Sequence, residues 1–292
     1  MIFRELLANA SAQLAAKGIE DARIEAEVLI MASTSSSRAW LYAHAEDLVS
    51  EDGLARTESF VRRRLLREPT AYIVGHKEFY GFDFNVDRRV LIPRPETELL
   101  VDEAIAASRK LLSTRSYIAL ADVGTGSGAV AISLARHLPN ATVYATDLSS
   151  DALDVARLNC RNHGVEDRVE LLQGDLLGPV DAVLDIIVAN LPYVKDSDLA
   201  ALQPEIREFE PFLALRGGKA GLDAIRRLLK QSVDKVSAGG IIALEIAWDQ
   251  GRSAVSLARA FFPGDRIEVR RDLAGLVRLI VISVGGTEEV SS

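Results

Sequence analysis

Residues 117–138, YIALADVGTGSGAVAISLARHL, decide the fold. YIALADV is an apolar run short enough for a buried strand, and AVAISLARHL has the apolar spacing of a helix. Gly124, Gly126 and Gly128 join them in a tight turn that lets backbone approach a ligand closely. Strand, glycine turn and helix in immediate succession read as the first half of a parallel β–α–β unit.

The alternation continues outward from there. ATVYATD (141–147) reads as a strand and SSDALDVARLNCRNHG (149–164) as a helix. RVELLQGD (168–175) and LDIIVAN (184–190) are further strands. GLDAIRRLLKQSVDKV (221–236) is a helix, GGIIALEI (239–246) a strand and DQGRSAVSLARAFF (249–262) a helix. RIEVRRD (266–272) and VRLIVIS (277–283) look like a closing pair of strands, and GGTEEVSS (285–292) like a loose tail. Such alternation predicts an α/β fold with a parallel sheet covered on both faces.

Asn190-Leu191-Pro192-Tyr193 sits directly behind the run DIIVA. A buried strand that stops at a rigid turn places a side-chain amide, a backbone carbonyl and a flat ring at the carboxyl end of the sheet, where ligands of open α/β folds bind. The amide oxygen and the carbonyl can accept both hydrogens of a planar –NH2 group, and the Tyr193 ring can lie against its plane. The target is a side-chain amide or a nucleobase amine. The plainer alternative is a strand-ending turn with an exposed tyrosine.

The glycine loop by itself discriminates little, since Gly124-x-Gly126-x-x-Ala129 also fits a relaxed dinucleotide pattern. The acids around it discriminate more. Asp122 precedes the first glycine, where its carboxylate can attract a cationic group or cap the helix. Asp147 ends the second strand and can accept both hydroxyls of a ribose. Asp175, at the end of the third, can accept from an adenine amine. The loop carries no basic residue for a pyrophosphate. A sulfonium cofactor, S-adenosyl-L-methionine, suits this edge better than NAD.

The chain has 292 residues, enough for two domains, with ordinary hydrophobic (48%) and charged (26%) content. Its net charge of −8 lowers the expectation of a large nucleic-acid footprint. The one cysteine, Cys160, excludes an intrachain disulfide and falls in a helical pattern, where packing is its expected role. The four histidines are scattered and no metal is expected. No apolar run reaches the length of a membrane span, and MIFRELLANASAQLAAKG lacks the features of a secretory signal, so a cytoplasmic protein is expected.

Residues 1–75 read as short amphipathic helices. One ends at Gly18, one starts with Asp21 as N-cap, and a third covers DGLARTESFVRRRLL. The run Arg62-Arg63-Arg64 is expected on a solvated helix face. HKEFYGFDFNVDRRVLI (76–92) reads as a β-hairpin, and Glu96 or Thr97 as the start of a new helix after Pro93 and Pro95. The expected organisation is a helical domain over 1–75, a hairpin linker over 76–95 and an α/β domain over 96–292.

These stretches together resemble the HemK-type (PrmC family) glutamine N5-methyltransferases of peptide chain release factors. The resemblance spans nearly the whole chain: REPTAYIVGHKEFYGFDFNVDRRVLIPRPETELLV, DVGTGSGAVAISLA, ATDLSSDALDVARLN, DIIVANLPYV, PEIREFEP, LALRGGKAGLDAIRRLL, GGIIALEIAWDQG and RIEVRRDLAGL. It implies a Rossmann-like class I methyltransferase sheet, and a small helical N-terminal domain that helps hold the release factor. The implied reaction is methylation of the glutamine in the Gly-Gly-Gln tip. Gly124, Thr125, Gly126, Ser127 and Gly128 would line the methionine end of the cofactor, Asp147 would hold the ribose, and Leu176 would border the adenine. Asn190, Leu191, Pro192 and Tyr193 would hold the glutamine amide. The family usually has proline where this chain has Leu191, and NLPY is a form associated with adenine dimethyltransferases of ribosomal RNA. The position contributes its carbonyl, which leucine also owns, and Pro192 still biases Leu191 toward an extended conformation. Glutamine methylation of a ribosomal protein, adenine N6-methylation of nucleic acid, a cofactor-binding scaffold with decayed catalysis and an NAD oxidoreductase are the alternatives. A monomer without direct nucleic-acid binding is expected.

Overall fold

The computed structural model describes residues 1–287, which divide into two compact units. The first comprises Met1–His76 together with Gln203–Phe209, and the second Lys77–Leu202 with Glu210–Ser292. The hairpin expected as a separate linker clusters with the second unit.

The first unit begins with α1 (Phe3–Ala16), α2 (Ala22–Thr34), α3 (Arg38–Ala43), α4 (Glu51–Leu65) and α5 (Thr70–Val74). Their apolar stripes bury Phe3, Leu14, Leu29, Ile30 and Val61 in one core. Two short helices, α3 and α5, lack the periodic length that makes a helix legible. Asp21 occupies the N-cap of α2 but with φ 51° and no side-chain bond to the helix, so the expected cap is positional only. Ser50 does cap α4, accepting from Gly53 N at 3.1 Å.

Apart from His76, a hairpin of β1 (His76–Phe79) and β2 (Phe82–Asn85) opens the second unit. Then follow α6 (Glu98–Leu112), β3 (Ile118–Val123), α7 (Ala129–His137), β4 (Ala141–Asp147), α8 (Ser150–His163), β5 (Val169–Gln173) and β6 (Leu184–Ala189). The chain next forms α9 (Pro204–Phe209), which clusters with the first unit. It returns through α10 (Asp223–Ser232), β7 (Val236–Glu245), α11 (Gly251–Phe261), β8 (Asp265–Arg271) and β9 (Val277–Thr287). The expected tail at 285–292 therefore starts inside β9, and its remainder lies outside the described residues.

The sheet order is β5-β4-β3-β6-β7-β9-β8. β3 pairs in parallel with β4 on one side and β6 on the other, while β9 runs antiparallel to both β7 and β8. The strand order thus reverses at β3, which opens a crevice at the carboxyl ends of β3, β4 and β6. β6 is buried at every residue, as a central strand covered on both faces must be. One face packs α6, α7 and the hairpin aromatics Phe79 and Phe84, with Cys160 in the same core as expected. The other packs Ile225, Leu228 and Leu229 of α10 and Ala254, Leu257 and Ala258 of α11.

The arginine run departs from its expectation at two of its three positions. Arg64 is 5% exposed and bonds Glu25 through Nε and Nη2 and Glu205 of α9 through Nη1 at 2.9 Å. Arg63 forks onto Glu68 at 2.8 and 2.9 Å. Arg63 and Arg64 fasten the helical unit internally, Arg64 because α9 supplies a carboxylate from far along the chain, while Arg62 stays exposed on the helix face as expected.

Candidate active site

A cavity of about 700 Å³ opens at the reversal of strand order, a volume that suits a nucleoside-sized ligand. Its wall includes Gly124, Gly126, Asp147, Asp175, Leu176, Asn190, Leu191 and Pro192. Asp122, Thr125, Ser127, Gly128 and Tyr193 were expected with them but are not part of this wall.

The reasons are local. Asp122 is 2% exposed, and its Oδ2 accepts from Thr125 Oγ1 at 2.7 Å and Ala131 N at 3.0 Å. Through Oδ2 it caps α7 from within, and burial pushes its pKa up to about 6. Thr125 is spent on the same bond. The Ser127 carbonyl accepts from buried Asn159 at 2.8 Å, and the same side-chain amide donates to the Asn85 carbonyl at 3.0 Å. Asn159 thereby ties the glycine loop to the hairpin. Gly128 has φ +81°, and an added Cβ would lie 3.0 Å from Ile132 and 3.3 Å from Ala156, so this glycine allows α7 and α8 to pack closely.

Asp147 does face the cavity. Its Oδ2 accepts from Gly126 N and its Oδ1 from Ser149 N, each at 2.9 Å, which leaves lone pairs on both oxygens. Exposed Leu148 and buried Leu176 add apolar wall beside it. Leu176 has φ 55°, a conformation uncommon for a residue with a Cβ. Asp175 lies beyond the end of β5, and its carboxylate is paired with Arg227 at 3.2 Å.

The NLPY segment follows β6 and is held from several sides. Leu191 is 4% exposed and packs beneath Gly124, where a Cβ would come within 3.1 Å of its Cδ2. Val194 N donates to the Leu215 carbonyl at 3.0 Å, and Gly217 N donates to the Val194 carbonyl at 2.8 Å. Gln250 Nε2 donates to the Tyr193 carbonyl at 3.1 Å. Tyr193 turns its hydroxyl toward Glu245 Oε1 at 3.5 Å, and burial pushes its pKa up to about 12. Asn190 Nδ2 donates to Thr97 Oγ1 at 2.9 Å, which in turn donates to Glu245 Oε2 at 2.7 Å. Thr97 and Glu245 escaped the sequence reading; a threonine at a helix start and an acid ending a strand have ordinary structural explanations.

Comparison with known proteins agrees in extent with this architecture. Residues 5–75 match the family described as PrmC N-terminal domain, and residues 100–219 match the methyltransferase small domain. The chain is 44% identical over 276 residues to the release factor glutamine methyltransferase of Moorella thermoacetica, covering 94% of this chain and 96% of that protein. It is 39% identical over 266 residues to the release factor glutamine methyltransferase of Rhodopirellula baltica, covering 90% of each. A solved methyltransferase from Pyrococcus furiosus superimposes with a TM-score of 0.53 at 20% identity, over 77% of this chain and 98% of that one. At that identity the likeness establishes the α/β methyltransferase fold alone.

Proposed function

The chain belongs to the release factor glutamine methyltransferases, and from that premise we propose that it methylates the glutamine amide nitrogen in the Gly-Gly-Gln tip of a peptide chain release factor. S-adenosyl-L-methionine is the methyl donor. The observation that carries the reading is one shared wall: Asp147, Gly124 and Gly126 line the same cavity as Asn190 and Leu191. Donor and acceptor can therefore meet at one sheet edge.

The residues present fit the donor. Gly126 has φ +56° with nothing within 4 Å of its missing Cβ, which leaves the loop open toward a ligand. Asp147 keeps acceptor capacity for two ribose hydroxyls. Leu148 and Leu176 offer apolar contact to an adenine. The Thr146 hydroxyl, in the same wall, is buried without a protein hydrogen-bond partner among the described residues. Bound there, the sulfonium supplies an electrophilic methyl group.

The protein's own contribution is positional. An amide nitrogen is a poor nucleophile because its lone pair is delocalised into the carbonyl. Asn190 Oδ1 and the Leu191 carbonyl accept its two hydrogens and favour the more positive, more pyramidal nitrogen of the transition state. Holding that nitrogen in line for transfer lowers the barrier without a strong base. Tyr193, anchored at its hydroxyl by Glu245, stiffens the segment that carries both acceptors.

Arg89, Arg216 and Arg227 line the cavity but are paired with Asp87, Asp196 and Asp175, which leaves Lys219 as the other basic residue of the lining. With the net charge of −8, this pairing supports a protein acceptor over a nucleic acid. Among the described residues no helix is long and apolar enough to cross a membrane. The protein acts as a cytoplasmic monomer, which leaves the sheet edge open to a large substrate. The test is transfer from labelled S-adenosylmethionine to purified release factor, beside a control whose tip glutamine is alanine. Label on the first alone supports the reading. Label on neither, with cofactor binding intact, refutes it.

A further inference from the structure

Asn190 can meet an acceptor with either end of its amide. The two ends differ by a half-turn that shape barely distinguishes, yet Oδ1 accepts and Nδ2 donates. Only Oδ1 suits a substrate that offers N–H. Something must choose.

Thr97 and Glu245 occupy the place where that choice is made. Both are buried, at 5% and 2% exposure. A threonine hydroxyl has one proton, and an ionised carboxylate only accepts. With Thr97 Oγ1 2.7 Å from Glu245 Oε2, the proton goes to the carboxylate. The hydroxyl then has only lone pairs to offer Asn190, 2.9 Å away, and Asn190 answers with Nδ2. Its Oδ1 is left for the cavity. The reverse arrangement, with Thr97 donating to Oδ1, would take the nearest donor from a buried carboxylate, which is costly. The remaining oxygen of Glu245 faces the Tyr193 hydroxyl at 3.5 Å, a second donor that also favours the ionised acid.

We propose that Thr97 and Glu245 are positioning residues that set the hydrogen-bond polarity of Asn190 and so restrict the methyl acceptor to a group that donates N–H. The catalytic consequence rests on the reading of Asn190 given above; the polarity itself does not. Neutral Glu245 could donate to Thr97, and the Thr97 proton would be free to swing toward Asn190. Burial pushes the Glu245 pKa up to about 7; the neighbouring Glu96 adds to the rise, while the Thr97 and Tyr193 hydroxyls and Arg278 oppose it. Polarity is therefore enforced above that pH and relaxes below it.

The first arm needs no substrate. The Asn190 side-chain amide is followed by ¹⁵N NMR in the full chain, its signal identified by loss in Asn190→Asp. One of its two protons should exchange slowly in the wild type and in Thr97→Ser, and both should exchange freely in Thr97→Val. Equal protection in the wild type and Thr97→Val overturns the proposal, whatever the methyl acceptor proves to be.

The second arm is kinetic, with release factor as acceptor at pH 8. Thr97→Val should lower kcat about 10–100-fold, with KM and affinity for S-adenosylhomocysteine nearly unchanged, and Thr97→Ser should restore most of it. In an Asn190→Ala background, Thr97→Val should cost nothing further. A full additional loss there would mean that Thr97 acts by a route other than Asn190 and overturns the proposal. Glu245→Gln keeps an uncharged partner for Thr97 and should abolish the acid limb of the wild-type pH profile near 7. An unchanged limb is a second refuting result. Failure of the wild type to label release factor would refute the proposed function, while the NMR arm still decides the polarity.

Discussion

Gly217 and Tyr193 meet backbone to backbone: a Cβ on Gly217 would lie 2.7 Å from the Tyr193 Cα and 2.8 Å from the Pro192 carbonyl oxygen. The obstacle is main chain, which cannot swing aside as a side chain can. Gly217→Ala should therefore push the NLPY segment off its position. Overpacking of this kind costs about 1–3 kcal/mol of stability. A shift of about 1 Å at the reacting groups can cost roughly 100-fold in rate. Denaturant midpoints and methyl-transfer rates would show both. A variant of full activity would mean that this contact does not position the motif.

The proposed ribose contact at Asp147 has its own signature. Asp147→Ala removes the acceptors and also releases Gly126 N and Ser149 N. Affinity for S-adenosylhomocysteine should fall about 10–100-fold, equivalent to roughly 1.4–2.8 kcal/mol. Asp147→Asn, which keeps one oxygen, should fall between. Calorimetry giving wild-type affinity for both would remove Asp147 from the cofactor site.

Asn190→Ala should leave that affinity within a few-fold and lower turnover by roughly 10²–10³, the usual effect of deleting one transition-state hydrogen bond. A loss under about threefold would end its assignment as the acceptor of the amide hydrogens.

Stability should decline as pH rises from 5 to 8. Glu245 and Asp122 are raised from ordinary values of 4.5 and 3.8 to about 7 and about 6, chiefly by burial. Each binds its proton more tightly folded than unfolded. Its contribution is complete below the ordinary value and lost as pH climbs through the folded one. The ceiling is roughly 3 kcal/mol for each group. Glu245→Gln should lose less stability than the wild type between pH 5 and 8, measured by denaturant unfolding. Equal losses would contradict the raised value of Glu245.

Arg64→Met should destabilise the helical unit by up to about 3–5 kcal/mol, since it takes the cation from Glu25 and leaves Glu205 beside it with only Arg67, at 3.2 Å. Hydrogen exchange should quicken in α9 as well as in α2 and α4. Protection of α9 unchanged from the wild type would show that Arg64 is not what retains it.

The sheet was legible because strands and helices advertise themselves by local periodicity, and the glycine loop because its turn is local too. Asp147, Asn190 and Leu191 follow from strand ends falling side by side on one edge. What stayed hidden depends on distant partners. Thr97 reads as a helix start, and its meaning comes from Asn190, 93 residues on, and Glu245, 148 residues on. Arg64 reads as one of three surface arginines until α9 brings Glu205 to it. Asp122 was open to two readings, and its part as a cap appears only in the direction of Oδ2, toward Ala131 N.

The membership of Gln203–Phe209 in the first unit has a consequence for anyone recombining such proteins. The helical unit is not a cassette with a single joint. A graft that exchanged residues 1–76 alone would import a Glu25–Arg64 pair evolved for one α9 and present it with another. The donor's Glu205 equivalent would stay behind in the discarded gene. Chimeras should therefore be cut at three places, after 76 and on either side of 203–209, and the two-piece and three-piece versions should differ in solubility before they differ in anything else.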